Sequence, residues 1–113
     1  MWILTPVGFF SVVQKEGDAK LSVRARVRSD LEDLTEQYLP HIKSIKEGGH
    51  TDYPYRIFVS HTDWSNALGQ IANDINYPNF KRKIKSKQGP IRSKIYGSVW
   101  RELYMLEEQC DTP

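Results

Sequence analysis

The stretch LSVRARVR, residues 21–28, decides the fold class. Side chains on a strand alternate between faces, so Val23, Ala25 and Val27 fall on one side and Arg24, Arg26 and Arg28 on the other. The apolar set is expected to face a core and the arginines solvent or a partner. Upstream, FFSVVQ at residues 9–14 is again rich in aromatic and β-branched residues, and Lys15, Glu16, Gly17 and Asp18 between the two stretches supply turn chemistry. Together they predict an antiparallel hairpin. Pro6 and Gly8 interrupt the apolar run that precedes it, leaving Trp2 to Leu4 as a short separate strand or as the edge of the same strand beyond a bulge.

Downstream, Ser29, Asp30, Leu31 and Glu32 form a capping-box pattern that predicts a helix start at Ser29. Leu31, Leu34 and Tyr38 lie at helical spacing, and Pro40 disfavours continuation. Asp30, Glu32, Asp33 and Glu36 are expected on the outer face and at the N-terminal end, where the helix dipole favours carboxylates. Residues 43–52 read as a long loop. Residues 53–60 (YPYRIFVS) read as a strand, and Thr62 and Asp63 as the cap of a helix with apolar positions Trp64, Ala67, Leu68, Ile71, Ala72 and Ile75. After Asn76 to Asn79, a basic connection leads to Gly89 and Pro90, which open a last helix with Ile91, Ile95, Val99, Leu103 and Leu106 along one side.

The order ββαβαα implies an α+β fold: a three-stranded or slightly larger antiparallel sheet with two to three helices on one face. A ferredoxin-like variant lacking one strand fits that order. With 113 residues, 39% hydrophobic residues and no linker or repeat, the chain reads as one soluble domain, residues 1–113. No apolar run suits a membrane span, and the opening residues lack the features of a secretory leader, so the expected location is cytoplasmic. The single cysteine, Cys110, excludes an intrachain disulfide and a cysteine-based zinc site. An exposed sheet edge and the broad apolar side of the last helix make a homodimer an expected assembly.

The net charge of +2 conceals a strong asymmetry. Lys81, Arg82, Lys83, Lys85, Lys87, Arg92 and Lys94 place seven cations and no acid in fourteen residues, while the other 99 residues carry nine cations against fourteen acids. A cationic run close to Tyr77 and Phe80 suits nucleic acid, through counterion release and base stacking, or an acidic protein; a solvated connection between helices is the plainer alternative. The Arg24, Arg26, Arg28 ladder has a spacing of about 6.6 to 6.8 Å along one strand, and the guanidinium fork suits phosphate and carboxylate oxygens. Arg24, Arg26, Arg28, Lys81, Arg82, Lys83 and Lys85 are therefore the candidate anion-binding residues. Covering the wet face of a half-exposed sheet is their structural alternative.

A second candidate is a polar pocket built from Tyr53, Arg56, His61 and Tyr77, with Arg26 beside it, if the tyrosine-bearing segments 51–56 and 74–81 converge. The alternative is that these tyrosines fasten loops. His41, His50 and His61 show no ligand spacing, so no metal is expected. No GxSxG, P-loop or GxGxxG is present; no catalytic residue and no cofactor is assigned. His50, in the Gly-Gly-His turn, is the histidine most open to a substrate, and Cys110 lies among Glu107, Glu108 and Asp111, which disfavours a reactive thiolate.

The strings from Trp2 to Gln14, Arg24 to Glu32, Thr51 to Arg56 and Asn76 to Lys81 resemble a group of short, uncharacterised bacterial proteins that carry GFFSVVQ, RARVRxDLE, TDYPYR and a DYxNFK-like stretch, the last with Asn76 in place of Asp. The resemblance covers nearly the whole chain and implies a bacterial, cytoplasmic origin. It implies no activity and transfers no role to any residue. The leading expectation is a non-enzymatic domain that binds a nucleic acid or an acidic protein; the others are a homo-oligomeric accessory protein and a small-molecule binder or enzyme.

Overall fold

A computed structural model of the chain describes residues 1–48 and 51–110. The fold is α+β. Two compact units are formed, Met1–Asn76 and Tyr77–Pro113.

The first unit contains β1 (Trp2–Thr5), β2 (Gly8–Val13), β3 (Leu21–Ala25), α1 (Arg28–Tyr38), β4 (Lys46–Glu47), β5 (Tyr55–Val59) and α2 (His61–Asn73). Its sheet has five strands in the order β1-β2-β3-β5-β4, with every neighbouring pair antiparallel. The β2–β3 hairpin forms as expected. The sheet is larger than three strands because Trp2–Thr5 folds back as a strand of its own and because a two-residue strand, β4, pairs with β5 inside the expected 43–52 loop. The expected order ββαβαα is thereby replaced. Since β5 lies between β3 and β4, those two run parallel with α1 in their connection, a split β-α-β unit.

One face of the sheet carries the core. Phe10 and Val12 of β2, Val23 and Ala25 of β3, and Ile57 and Val59 of β5 pack with Leu31 and Leu34 of α1 and Trp64 and Ala67 of α2. Strand alternation and helical spacing in the sequence therefore meet in one apolar layer.

The start of α1 departs from the expected capping box. Its N-cap is Val27, which is 42% exposed rather than part of the core, and no side chain caps the helix. Asp30, expected among outward carboxylates, is buried and accepts a 3.0 Å hydrogen bond from the Phe9 amide. Gly8 makes this possible: its φ is +154°, and a Cβ there would lie 2.5 Å from the Asp30 Cβ and Cγ. Thr5 Oγ1 closes the same turn, accepting from the Val7 and Gly8 amides at 3.1 and 3.2 Å. Thus β1–β2 and α1 are joined by a carboxylate that fits only beside a residue without a side chain. The cap of α2 is Ser60, two residues before Thr62, because Ser60 Oγ accepts from the Asp63 amide at 3.1 Å.

The second unit is built from α3 (Phe80–Gln88), α4 (Pro90–Tyr104) and the short α5 (Leu106–Cys110). The expected basic connection is a helix. Asn79 caps it by accepting from the Arg82 amide at 2.8 Å, and Gly89, at φ +95°, ends it and admits Pro90 at the start of α4. Ile84, Ser93, Tyr96 and Gly97 are its buried contacts, with Phe80 stacked on Tyr96 at 6.1 Å. This corrects the expected burial of α4: Ile91, Ile95, Val99 and Leu103 are all exposed, Ile91 at 77%. They lie on the side of α4 away from Ser93 and Gly97. Among the described residues, no helix is long and apolar enough to cross a membrane.

Candidate functional site

The face of the sheet opposite the core carries the feature with most chemical content. Its register aligns one residue from each strand: Trp2 opposite Ser11, Ser11 opposite Arg24, Arg24 opposite Arg56, and Arg56 opposite Lys46. Directly opposed residues share a face, so Trp2, Ser11, Arg24, Arg56 and Lys46 form one row across all five strands. Four inter-strand spacings of about 4.8 Å make the row roughly 19 Å long.

Three consecutive members are cations. Like charges directly opposite one another destabilise a sheet, and the usual remedy is an interleaved carboxylate. Among the described residues, Arg28 pairs with Glu32 at 3.8 Å and His41 with Asp63 at 2.9 Å, and no ion pair is seen for Arg24, Arg26, Arg56 or Lys46. The row is held by neutral partners instead. Arg24 Nη2 donates to Ser11 Oγ at 2.7 Å, and its guanidinium lies 4.7 Å from the centre of the Tyr53 ring. Arg26, just past the end of β3, lies 5.1 Å from the same ring. Tyr53 is buried beneath these two guanidinium groups. Its ring also leans on Phe9 at 6.3 Å, and Phe9 meets Trp2 edge-on at 6.2 Å. Aromatic contacts therefore link the arginines to Trp2, which is 75% exposed at the sheet edge.

The expected three-arginine ladder is shortened. β3 ends at Ala25, and Arg28 belongs to α1, where it pairs with Glu32 one turn on, so it does not continue the strand face. Lys81, Arg82, Lys83 and Lys85 lie on α3. At 3.6 residues per turn, these four and Lys87 spread over about 240° of the helix, so they share no single face. Lys83 lies over Tyr77 at 5.8 Å, and Lys81 runs beside Gly97.

The pocket residues have separate placements. Tyr53 and Arg56 belong to the open sheet face, and His61 is exposed at the first turn of α2. Tyr77 belongs to the second unit, tilted against Phe80 at 6.3 Å. Tyr38 donates to Asp74 at 2.6 Å and so fastens the end of α2 within the first unit. A shallow depression is lined by Asp18, Ala19, Lys20 and Phe58, none of them a pocket candidate. Among the described residues, no group of His, Cys, Asp and Glu is placed to hold a metal ion. His50 lies outside the described residues.

Trp2, Ser11 and Lys46 were not singled out from the sequence. Each becomes significant through register alone, and Lys46 stands in a stretch that reads as loop. Arg56 was singled out for a pocket and lies instead in the cation row. No protein-family model, no curated protein and no solved structure matches this chain.

Proposed function

We propose that the first unit binds an extended polyanion, a nucleic-acid chain or an acidic protein segment, across the open face of its sheet. The observation that carries this reading is the run of Arg24, Arg56 and Lys46 in consecutive register, for which no ion pair is seen among the described residues. An anionic ligand relieves the mutual repulsion of these cations and gains charge-assisted hydrogen bonds, which are shorter and stronger than neutral ones. The arginine forks suit phosphate or carboxylate oxygens, while Lys46 contributes a mobile point charge at the sheet edge.

The test is fluorescence anisotropy of a labelled oligothymidylate and of polyglutamate, each across a salt series. Binding of either that weakens linearly on logarithmic axes is expected. For the oligonucleotide, Arg24→Ala with Arg56→Ala should lower the magnitude of the salt slope by about 1.4, because each lost single-strand phosphate contact removes about 0.7. No binding of either probe at low salt, or an unchanged slope in the double variant, defeats the proposal.

A second reading, self-association through α4, is favoured by its exposed Ile91, Ile95, Val99 and Leu103. Antiparallel pairing of two copies would set Lys94 near the basic start of one α4 against Glu102 near the end of the other. Sedimentation analysis should then show a dimer that Ile95→Glu converts to monomer; a wild-type monomer throughout the concentration range counts against it.

A further inference from the structure

We infer that the polyanion is a single-stranded nucleic acid, crossing the β-strands with phosphates on Arg24, Arg56 and Lys46 and a base stacked on Trp2. This deepens the reading above and rests on it. The additional observation is the position of Trp2. It occupies the same transverse row as the cations, two strands from Arg24, and it is 75% exposed although Phe9 supports it edge-on.

A T-shaped contact with Phe9, with Trp2 75% exposed, leaves at least one broad face of the indole clear of that ring. A large aromatic surface in water at the end of a cation row is chemically suited to a ligand that alternates charge and π-surface. A nucleic-acid strand does this at every residue; an acidic peptide segment supplies carboxylates without regularly spaced rings. Base stacking on aromatic side chains tolerates any sequence, since every base has a π-face. A duplex is disfavoured because its bases are stacked internally and have no free face for Trp2, whereas unpaired bases splay out onto such platforms.

The length of the row agrees with a short strand. Roughly 19 Å corresponds to about six nucleotides at the 3.4 Å duplex rise, and to fewer in an extended chain. Ser11 lies between the aromatic and cationic parts and holds Arg24 twice, accepting from Nη2 at Oγ (2.7 Å) and from Nε at its carbonyl (3.5 Å), which directs the guanidinium across the sheet and leaves Nη1 for a phosphate. Tyr53 sits under Arg24 and Arg26 and so supports the cations from below rather than receiving a base.

The experiment compares three labelled probes on the intact protein: an oligothymidylate of about eight nucleotides, the same backbone with abasic sites, and a duplex of equal length. The base-bearing strand should bind about tenfold more tightly than the abasic one. Trp2→Ala should abolish that ratio while leaving the salt slope unchanged, and Trp2→Phe should largely restore it. Because Trp2 is exposed, neither substitution removes core packing, and circular dichroism of both variants should match the wild type.

Equal affinity for base-bearing and abasic strands, or a ratio that survives Trp2→Ala, overturns the stacking inference while the cation row remains the binding surface. Preference for the duplex, or for polyglutamate in the salt-series test above, overturns the assignment of the ligand class. Failure of every anionic probe at low salt removes the broader proposal together with this one.

Discussion

The two units hold positive charge in opposite ways. In the second, α3 concentrates Lys81, Arg82, Lys83, Lys85 and Lys87 in a short run, yet the helix distributes them around most of its circumference. In the first, Arg24, Arg56 and Lys46 come from separate parts of the chain, yet the sheet register aligns them about 4.8 Å apart on one face. Density along a sequence is therefore a poor measure of a charged surface. The same contrast extends to packing. The first unit closes over a continuous apolar layer, whereas among the described residues of the second Ile84 and Tyr96 are the buried apolar side chains and a row of large apolar residues on α4 is left in water.

The largest effect should come from disturbing the layer that keeps the sheet in register. Leu34 of α1 is fully buried against it, and Leu34→Ala should cost about 2–5 kcal/mol in urea denaturation. Amide exchange in β3 and β5 should accelerate with it. Protection unchanged in both strands would show that the row does not depend on the core beneath it.

Gly8→Ala should be the next most damaging, at about 2 kcal/mol, since the new Cβ overlaps Asp30 at a φ that L residues avoid. Combining it with Asp30→Ala, which itself loses the bond to the Phe9 amide, should give less than the sum of the two single losses, because the overlaps with Asp30 Cγ and Oδ2 disappear with the carboxylate while that with its Cβ stays. Strict additivity in this cycle would contradict the coupling between the β1–β2 turn and α1.

The smallest effect sharpens the comparison of charge. Replacing Lys85 and Lys87 with alanine should change oligonucleotide affinity by less than about twofold in moderate salt, against a loss of at least tenfold for Arg24→Ala with Arg56→Ala. A reversed ranking would move the binding surface to α3 and show that local charge density outweighs alignment.

The hairpin of β2 and β3 was legible because Val23 and Ala25 alternate with Ser22 and Arg24, and no tertiary contact is needed to see a period of two. α2 was legible from Trp64, Ala67, Leu68 and Ile71. α3 was not, since Ile84 is its sole buried residue and one apolar position has no period; its cap, Asn79, is the local sign that was missed. β4 was invisible because two residues carry no pattern, and Lys46 became part of a candidate site only by pairing with Arg56. The α1 start was misread for another reason. Ser29 to Glu32 fits a capping box, but burial of Asp30 against Gly8 satisfies the Phe9 amide and places the helix start at Val27 and Arg28.

By itself, the sequence determined the α+β class, the central hairpin and the helix α2, because each follows from periodicities that neighbouring residues set. It also determined that Arg24 would stand on the face of β3 opposite its apolar one. Tertiary structure alone decided which cations stand together, that Asp30 turns inward and that Trp2 shares a row with Arg24. Strand register is a relation between segments distant in the chain, and a shift of one residue would send every side chain of the shifted strand to the other face.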